Sequence, residues 1–329
     1  MTDSPEAFDS ESWRKLHLAS PNRNIFSTPE WHRVWWDEFG EGKELFVLTF
    51  VDPEPVAMAA LMLDQTDEGG RIRFVGGDDL TDYLGPIWAD DRDLPSVADA
   101  LVAYLKEEIG GWGFLDAKCM PVPFGFAEWL VEAADRRGLG FSLHQDEVSA
   151  VLSLPTNFEE YLANLSQKKR HELKRKLRRF DREVESSALT SASEDTLGAD
   201  VLNFIDLHRG SHGLKGKFME SGRATFFARI AQTFNPEGML SLDFLEADGR
   251  RVAAMFSFPF EDTFYLYNSA YEEDTRHLSP GLVLAAKLIQ RCIEKGFARM
   301  DFLRGRERYK FDLGAEPVPL HTIRLTNRR

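Results

Sequence analysis

A short segment near the C-terminus concentrates side chains that can move protons or hold anions. It follows a short apolar strand and reads Asp301-Phe302-Leu303-Arg304-Gly305-Arg306-Glu307-Arg308-Tyr309-Lys310-Phe311. Loops that follow buried strands are where binding and catalytic residues gather. Tyr309 is a candidate general acid because a phenol can protonate a leaving group. Lys310 is a candidate anion anchor, and Arg304 adds a second cation.

A second candidate is an anion site where a helix is expected to begin, in the segment Arg276-His277-Leu278-Ser279-Pro280-Gly281-Leu282. Ser279 can cap the helix, Pro280 suits its first position, and Gly281 leaves backbone N–H groups uncovered. Free amides at the positive end of a helix bind anions, and Arg276 stands beside them. The corresponding turn in the first half, 90–96, lacks the glycine and is crowded by carboxylates. If only one half binds a phosphorylated cofactor, we expect the second half to do so. The alternative is that 276–282 is simply the capped start of a helix.

A third feature is a strongly basic helix predicted over Tyr161–Arg182. Its apolar face is narrow, and eight Lys/Arg residues fall within 168–179, with only Glu172 to offset them. Like charges at this spacing destabilise a helix unless an anion is present. The helix, with Lys169 and Arg170 in it, is a candidate site for phosphates or a nucleic-acid backbone; a solvated basic face is the alternative.

Two weaker candidates for contacts with a substrate remain. Asp82 and Tyr83 lie in a glycine-flanked loop, 76–85, that suits an amine or a hydroxyl, although a structural turn would explain it equally well. His208 lies on a predicted helix, where a partly buried structural role is the alternative to that of a base.

Composition narrows the class of protein. The chain has 329 residues, enough for about two domains, and a net charge of −14. Residues 166–183 carry +6, so the rest carries −20, which argues against general DNA binding. The longest apolar run has eight residues (56–63), too short for a membrane helix. The polar, acidic N-terminus lacks a signal sequence, so we expect a cytoplasmic protein.

The cysteine and histidine patterns predict no metal site and no disulfide framework. Cys119 and Cys292 are 173 positions apart, and the eight histidines show no zinc-binding spacing. Both cysteines are expected to be small buried hydrophobic residues.

A weak internal repeat organises the chain. Each half has a strand–turn–strand unit, a third strand, a helix of 3.6-residue periodicity and a short strand that contains an aspartate. In the first half these are 43–51, 56–63, 71–75, 97–109 and 113–116; in the second, 239–245, 252–258, 263–268, 282–295 and 298–302. A helix beginning at Ser27-Thr28-Pro29-Glu30 precedes the first copy, and 186–196 is expected to be a Ser/Thr-rich connector. The sequence therefore predicts a mixed α/β protein with two β-β-β-α-β copies that divide near 147–155.

These segments together resemble the tandem-domain branch of the GNAT superfamily, the CelD-like, Fem-related acetyltransferases. The similarity covers about residues 20–325 and is carried most specifically by the basic helix and by the Asp301–Gly305 and Tyr309–Phe311 motifs. It is also carried by Phe26–Trp31 with Trp35-Trp36, Asp82-Tyr83, Leu207-His208-Arg209 and Ser279-Pro280-Gly281. The resemblance implies two GNAT-like domains, each a mixed, mostly antiparallel sheet flanked by helices. It implies an N-terminal domain over residues 1–150, degenerate and structural or acceptor-binding, and an acyl-CoA site in residues 151–329.

The leading hypothesis is an N-acyltransferase that moves an acyl group, most simply acetyl, from a CoA thioester to a small-molecule amine. The amine would belong to an amino sugar or an amino acid of envelope or polysaccharide metabolism. Strand amides over 264–268 would hold the oxyanion, Asp301 or Glu272 would take the proton through water, and Tyr309 would protonate the thiolate. Arg276, Ser279, Gly281, Lys310 and Arg304 would bind the donor.

Two alternatives stay open. Fem-type relatives use aminoacyl-tRNA, a polyanion that the basic helix would suit, and the usual GNAT pyrophosphate loop is only partly present here. A catalytically silent GNAT-like scaffold that binds an acidic partner or the anionic inner membrane leaflet is the non-enzyme alternative.

Overall fold

A computed structural model describes residues 1–210 and 217–327. The chain divides into two compact units, Met1–Val148 with Val318–Arg329 and Ser149–Pro317. The chain therefore leaves the first unit once and returns to it with its last strand.

The first unit contains five helices and a sheet. The helices are α1 (Glu11–Ala19), α2 (Pro29–Phe39), α3 (Gly77–Leu80), α4 (Leu94–Glu107) and α5 (Phe126–Arg136). The strands are β1 (Glu44–Val51), β2 (Pro55–Thr66), β3 (Gly69–Phe74), β4 (Ile87–Trp88), β5 (Trp112–Pro121), β6 (Gly140–Ser153) and β12 (Glu316–Thr326). From Ser149 onward, β6 belongs to the other unit. The strand order β1-β2-β3-β5-β12 is antiparallel except for the parallel β3–β5 pair, and β4 pairs with β2.

The predicted start of α2 is confirmed in detail. The Thr28 hydroxyl accepts a hydrogen bond from the Trp31 amide at 3.2 Å, and Pro29 occupies the first helical position. This capping satisfies an amide that the helix itself cannot pair. The helix buries Trp31, Val34 and Trp35 against the rest of the first unit.

The second unit repeats the arrangement around its own core. Its helices are α6 (Phe158–Asn164), α7 (Gln167–Glu183), α8 (Leu197–Arg209), α9 (Arg223–Phe234), α10 (Pro280–Glu294) and α11 (Arg308–Asp312). Its strands are β7 (Ser187–Ser191), β8 (Ser241–Ala247), β9 (Arg250–Phe260), β10 (Thr263–Tyr271) and β11 (Arg299–Arg304). The order β7-β8-β9-β10-β11-β6 is antiparallel except for the parallel β10–β11 pair.

The predicted β-β-β-α-β repeat and the mixed α/β class are confirmed. In each unit three antiparallel strands lead through a helix to a strand parallel to the third, giving β1-β2-β3-α4-β5 and β8-β9-β10-α10-β11. The expected hairpin at Asp248-Gly249 forms with φ of +52° and +76°, the left-handed pair that a two-residue turn requires. The helix α10 buries its predicted stripe, including Ala285, Ile289 and Cys292.

Two sequence-based boundaries were wrong. The basic helix does not run from Tyr161 to Arg182 without a break, because Ser166 starts a new helix, α7, by accepting a hydrogen bond from the Lys169 amide. The expected connector 186–196 contains strand β7, which pairs with β8 at the sheet edge. Serine and threonine are tolerated on such an exposed edge, so composition alone did not distinguish strand from loop.

Candidate active site in the second unit

The centre of the second unit's sheet opens where its two parallel strands separate. Strands β10 and β11 pair at three successive positions, the last being Tyr265 with Asp301. Beyond that pair β10 continues beside β9, with a bulge between Leu266 and Asn268, while β11 continues beside β6. Backbone groups of β10 and β11 that would otherwise pair with each other thus face a gap. The bulge lies within 264–268, where the sequence analysis expected oxyanion-binding amides.

Asp301 lies at the point where this gap begins. Its side chain is buried, and Oδ1 accepts a hydrogen bond from the Leu303 amide at 2.8 Å. Leu303 has a φ of +59°, a left-handed conformation that this bond helps to hold. Burial, with the Asp301 charge as a second cause, raises the pKa of the neighbouring Tyr265 phenol. The Asp301 carboxylate therefore stabilises the backbone at the end of β11 and also contributes to the raised pKa of the Tyr265 phenol.

Helix α10 begins beside β10 without the expected side-chain cap. Ser279 is the N-cap residue, but its φ is +54° and its side chain accepts no hydrogen bond from the helix. Its carbonyl instead accepts from the Leu282 and Val283 amides, both at 3.1 Å. Pro280 occupies the first helical position as predicted. Gly281 is the second residue of this 15-residue helix and is half-buried. Its amide lies at the positive end of the helix dipole, and the glycine has no side chain of its own to cover that amide.

A groove of about 810 Å³ separates the basic helix α7 from α11. It is lined by Gln167, Lys168, His171, Glu172, Lys176, Arg308, Tyr309 and Asp312. Tyr309 is half-buried in its wall, with its ring 6.2 Å from that of Phe302. Burial, and secondarily the charge of Glu307, raises the pKa of the Tyr309 phenol. The groove therefore contains a phenol that stays protonated and an excess of cationic side chains.

A smaller cavity of about 230 Å³ links this basic region to the start of α10. Its lining combines Leu282, the third residue of α10, with Lys168, Lys169 and Lys176 of the basic helix and with Arg308. Glu172 and Asp312 are its only carboxylates among the lining residues. Lysine ammonium groups and a helix N-terminus are both sites that bind phosphate. The sequence did not show that these lysines and the start of α10 line one cavity.

Lys310, expected to anchor an anion, lies elsewhere. Its side chain is only 5% exposed, and Nζ donates to the carbonyl oxygens of Leu303 at 3.2 Å and Arg304 at 2.7 Å and pairs with Glu307 at 2.9 Å. This lysine therefore closes the turn after β11. Arg304 is half-buried at the end of β11.

The other predicted donor-site cation, Arg276, is exposed and pairs with Glu273 at 3.2 Å. Arg170 directs its guanidinium to the carbonyl of Leu162 at 3.4 Å, across the junction between α6 and α7. Neither side chain lines the groove or the smaller cavity.

Four further candidate residues are not among those that line the groove. Glu272 pairs with Arg250 at 3.0 Å and lines a different cavity, of about 540 Å³. His208 is buried, with its ring 5.4 Å from that of Phe218. Asp82 and Tyr83 belong to the first unit, where the Tyr83 ring contacts Phe26.

Sequence reasoning placed Lys176 in the basic helix and Arg308 in the C-terminal segment without singling either out, and it did not name the groove residue His171. A signal was present, because Lys168, Glu172 and Lys176 are spaced at i, i+4 and i+8 and so share one side of α7. The position of α11 decides which side of α7 lines the groove, and the sequence did not predict that position.

Two general findings complete the description. Across residues 1–210 and 217–327, no group of three or more His, Cys, Asp or Glu side chains is arranged to hold a metal ion. Within the same ranges, every helix is too short or too polar to cross a bilayer.

Residues 167–311 match the family model described as an acetyltransferase (GNAT) domain. The match begins with the basic helix and ends in α11, so it contains every groove residue except Asp312, the start of α10 and the gap between β10 and β11. The predicted resemblance to the GNAT superfamily is confirmed. No curated protein matches the chain in sequence.

Solved structures share the fold over nearly the whole chain. FemX is similar with a TM-score of 0.65 and 11% identity, over 98% of this chain and 96% of that one. The C-terminal domain of a putative lysylphosphatidylglycerol synthetase from Agrobacterium fabrum gives 0.57 and 12%, over 98% and 92%. A tandem GNAT protein from the clavulanic acid biosynthesis pathway gives 0.53 and 11%, over 96% and 93%. The tandem arrangement expected from the internal repeat is therefore confirmed at the level of the fold.

Proposed function

We propose that this chain, whose residues 167–311 match the model of an acetyltransferase (GNAT) domain, is an N-acyltransferase that transfers an acyl group, most simply acetyl, from a CoA thioester to an amine. One observation carries the proposal: Leu282 at the start of α10 and three lysines of α7 line one cavity, and this cavity shares Lys168 and Lys176 with the groove that contains the Tyr309 phenol. A thioester donor that carries phosphates requires both an anion site and an acid for the leaving sulfur.

The donor phosphates would bind where α10 begins. The Gly281 amide, the helix dipole, and Lys168, Lys169 and Lys176 supply hydrogen bonds and positive charge. Arg276 is exposed nearby and can exchange Glu273 for a phosphate. Lys310 and Arg304 would support this site indirectly, by fixing the turn after β11.

The acyl group would lie at the gap between β10 and β11. The amine nitrogen attacks the thioester carbonyl carbon, the new C–N bond forms, and amides at the Leu266–Asn268 bulge hold the oxyanion. The C–S bond then breaks, and the Tyr309 hydroxyl gives its proton to the departing thiolate. Asp301, at the end of the paired strands, takes the amine proton through water. Glu272 is less suited to this role because it forms an ion pair with Arg250 and lines a separate cavity.

The acceptor is assigned to the first unit. In this part of the proposal residues 1–150 form a domain that has lost donor binding, and Asp82 and Tyr83 contact the amine-bearing molecule. An amino sugar or an amino acid in the cytoplasm is the acceptor we favour, and His208 would act only by supporting α8.

The donor site is tested by Gly281→Asp, with Gly281→Ala as the matched control. A carboxylate at the second position of a helix does not harm its stability, whereas it would repel a phosphate. A Cβ at this position would meet nothing nearer than Tyr271 Cδ1 at 3.8 Å, an ordinary contact. In calorimetric titration with acetyl-CoA we expect the alanine variant to bind like the wild type and the aspartate variant not to bind.

Equal affinity of both variants for acetyl-CoA would contradict the assignment of the anion site. Circular dichroism of both variants shows whether either loses helix, which would make the comparison invalid.

An aminoacyl-tRNA donor is the second candidate, and one observation favours it. The groove beside Tyr309 is open and lined by Lys168, His171, Lys176 and Arg308, which would also suit a phosphodiester chain. This candidate predicts no binding of acetyl-CoA and a tRNA affinity that falls steeply with salt.

A further inference from the structure

The outward side of the basic helix α7 forms a continuous cationic face. With 100° between successive residues, an arc about 140° wide points away from the buried Leu173 and Phe180. The residues on this arc, which we call the cationic arc, are Gln167, Lys168, His171, Lys174, Arg175, Arg178, Arg179 and Arg182. The three carboxylates of the helix, Glu172, Asp181 and Glu183, lie on its flanks. From Lys168 to Arg182 the arc is about 21 Å long.

Most of this charge is not neutralised within the protein. Arg175 pairs with Glu172, and Arg179 and Arg182 share Glu183. Among the residues that the structure describes, Lys168, Lys174 and Arg178 have no carboxylate within salt-bridge distance. Cations three and four residues apart repel one another, so the arc costs helix stability in a chain that carries −14 overall. An external anionic surface would relieve that repulsion.

The composition of the arc favours a lipid surface over a nucleic acid. Sequence-independent binding of single strands uses aromatic platforms, and base reading uses side-chain hydrogen bonds. The arc contains no Phe, Tyr or Trp, and Gln167 is its only amide. Long, flexible cationic side chains along one straight helix match a planar array of anionic headgroups, where each Lys or Arg contributes about 1 kcal/mol.

We propose that the cationic arc of α7 docks the protein peripherally on an anionic membrane surface. Lys168 and His171 belong both to the arc and to the wall of the groove that contains Tyr309. Docking would therefore hold the groove beside the lipid headgroups. The proposal does not depend on acyl transfer, since it concerns only where the protein binds.

The test is flotation of the full chain with vesicles of phosphatidylcholine alone or mixed equally with phosphatidylglycerol. We expect binding to the anionic vesicles at about 0.1 M salt, with little binding to the neutral ones, and loss of binding as salt is raised. The double variant Lys174→Glu with Arg178→Glu should lower the partition coefficient at least about 30-fold. In the double variant a pair of anions four residues apart replaces a pair of cations at the same spacing, and each new glutamate gains an arginine four residues away (Arg170 or Arg182), so the helix is not expected to unfold.

The matched control is Lys15→Glu with Lys295→Glu. Both lysines are exposed and distant in sequence from α7, and the variant has the same net charge as the arc variant. It should retain binding. Equal losses in the two variants would show that only net charge matters and would overturn the proposal, as would failure of the wild type to float. Binding of a short RNA that depends on Lys174 and Arg178, without vesicle binding, would replace it with a nucleic-acid surface.

Discussion

The two groups assigned to proton transfer have different surroundings. Tyr309 lies half-buried in the groove wall, where burial raises its pKa, so the phenol is protonated at neutral pH. Asp301 is buried and already accepts a hydrogen bond from the Leu303 amide. Tyr309 is therefore able to give a proton, and Asp301 is the carboxylate to which we assign proton acceptance.

Tyr309→Phe should leave donor affinity unchanged and lower kcat by about 100-fold or more, because a positioned general acid contributes about 10²–10⁴. Steady-state kinetics with acetyl-CoA and calorimetric titration measure the two quantities. Tyr161→Phe is the control, since that phenol donates to the Leu313 carbonyl at 2.9 Å and does not line the groove. It should cost about 1 kcal/mol of stability with kcat intact. A Tyr309→Phe enzyme with wild-type kcat would remove the phenol from the mechanism.

His32 predicts a pH dependence of stability in the first unit. Burial among Phe8 and Trp13 lowers its pKa from 6.5 to about 4. Because the folded state favours the neutral ring, stability is complete above pH 6.5 and falls as the pH drops toward 4. Between pH 7 and pH 5 the loss should be about 2 kcal/mol in urea unfolding. If the unfolding midpoint does not change over that interval, the imidazole is not held neutral.

Residue type made Tyr309 a candidate general acid and Lys310 a candidate anion anchor, but it did not indicate which of the two side chains lines a groove. Lys310 follows it in the chain, yet its ammonium points to two carbonyls because α11 turns it inward. Adjacent residues on a helix face different directions, so one of the pair reaches the groove and the other does not.

At the scale of elements, helix α10 is held to the sheet by a buried ion pair. Arg291 donates to both oxygens of Asp243 on β8, each at 2.6 Å, and Asp243 is fully buried. Ser241 adds a hydrogen bond to the same carboxylate at 2.7 Å. Since the proposed anion site uses backbone amides at the start of α10, we expect this pair to hold those amides in position as well.

Arg291→Met should destabilise the second unit by about 3–5 kcal/mol, because it leaves a buried carboxylate without a counter-charge. The double variant Arg291→Met with Asp243→Leu should recover much of this loss. Chemical denaturation of the wild type and both variants measures it. A double variant as unstable as the single one would show that packing, and not the uncompensated charge, dominates.

At the scale of the whole molecule, the chain path ties the first unit to the last strand. Leu320, Ile323 and Leu325 of β12 are buried, and Arg324 pairs with Asp116 of β5 at 2.7 Å. The first unit thus depends on residues that follow the second unit in the chain.

Truncation after Pro317 should destabilise the first unit selectively. Each buried aliphatic side chain contributes about 1.5–3 kcal/mol, so the loss is a large part of the stability of an ordinary domain. Hydrogen exchange should show lost protection of 112–121 while 250–260 in the second unit stays protected. Equal loss of protection in both segments, or no loss in either segment, would contradict the prediction that β12 stabilises the first unit selectively.

Local sequence features were sufficient to predict the repeated β-β-β-α-β order, the α/β class, the cap of α2 and the basic character of α7. These follow from local periodicity, capping chemistry and composition, which need no distant contact. The tertiary structure decided what local rules do not encode: the break at Ser166, the edge strand β7 and the return of β12. It also decided which side of α7 meets α11, and hence that Lys176 and Arg308 join Tyr309 in one groove while Glu272 pairs with Arg250 elsewhere. Those outcomes depend on how faces far apart in sequence pack, and a single helix or strand does not specify its partner.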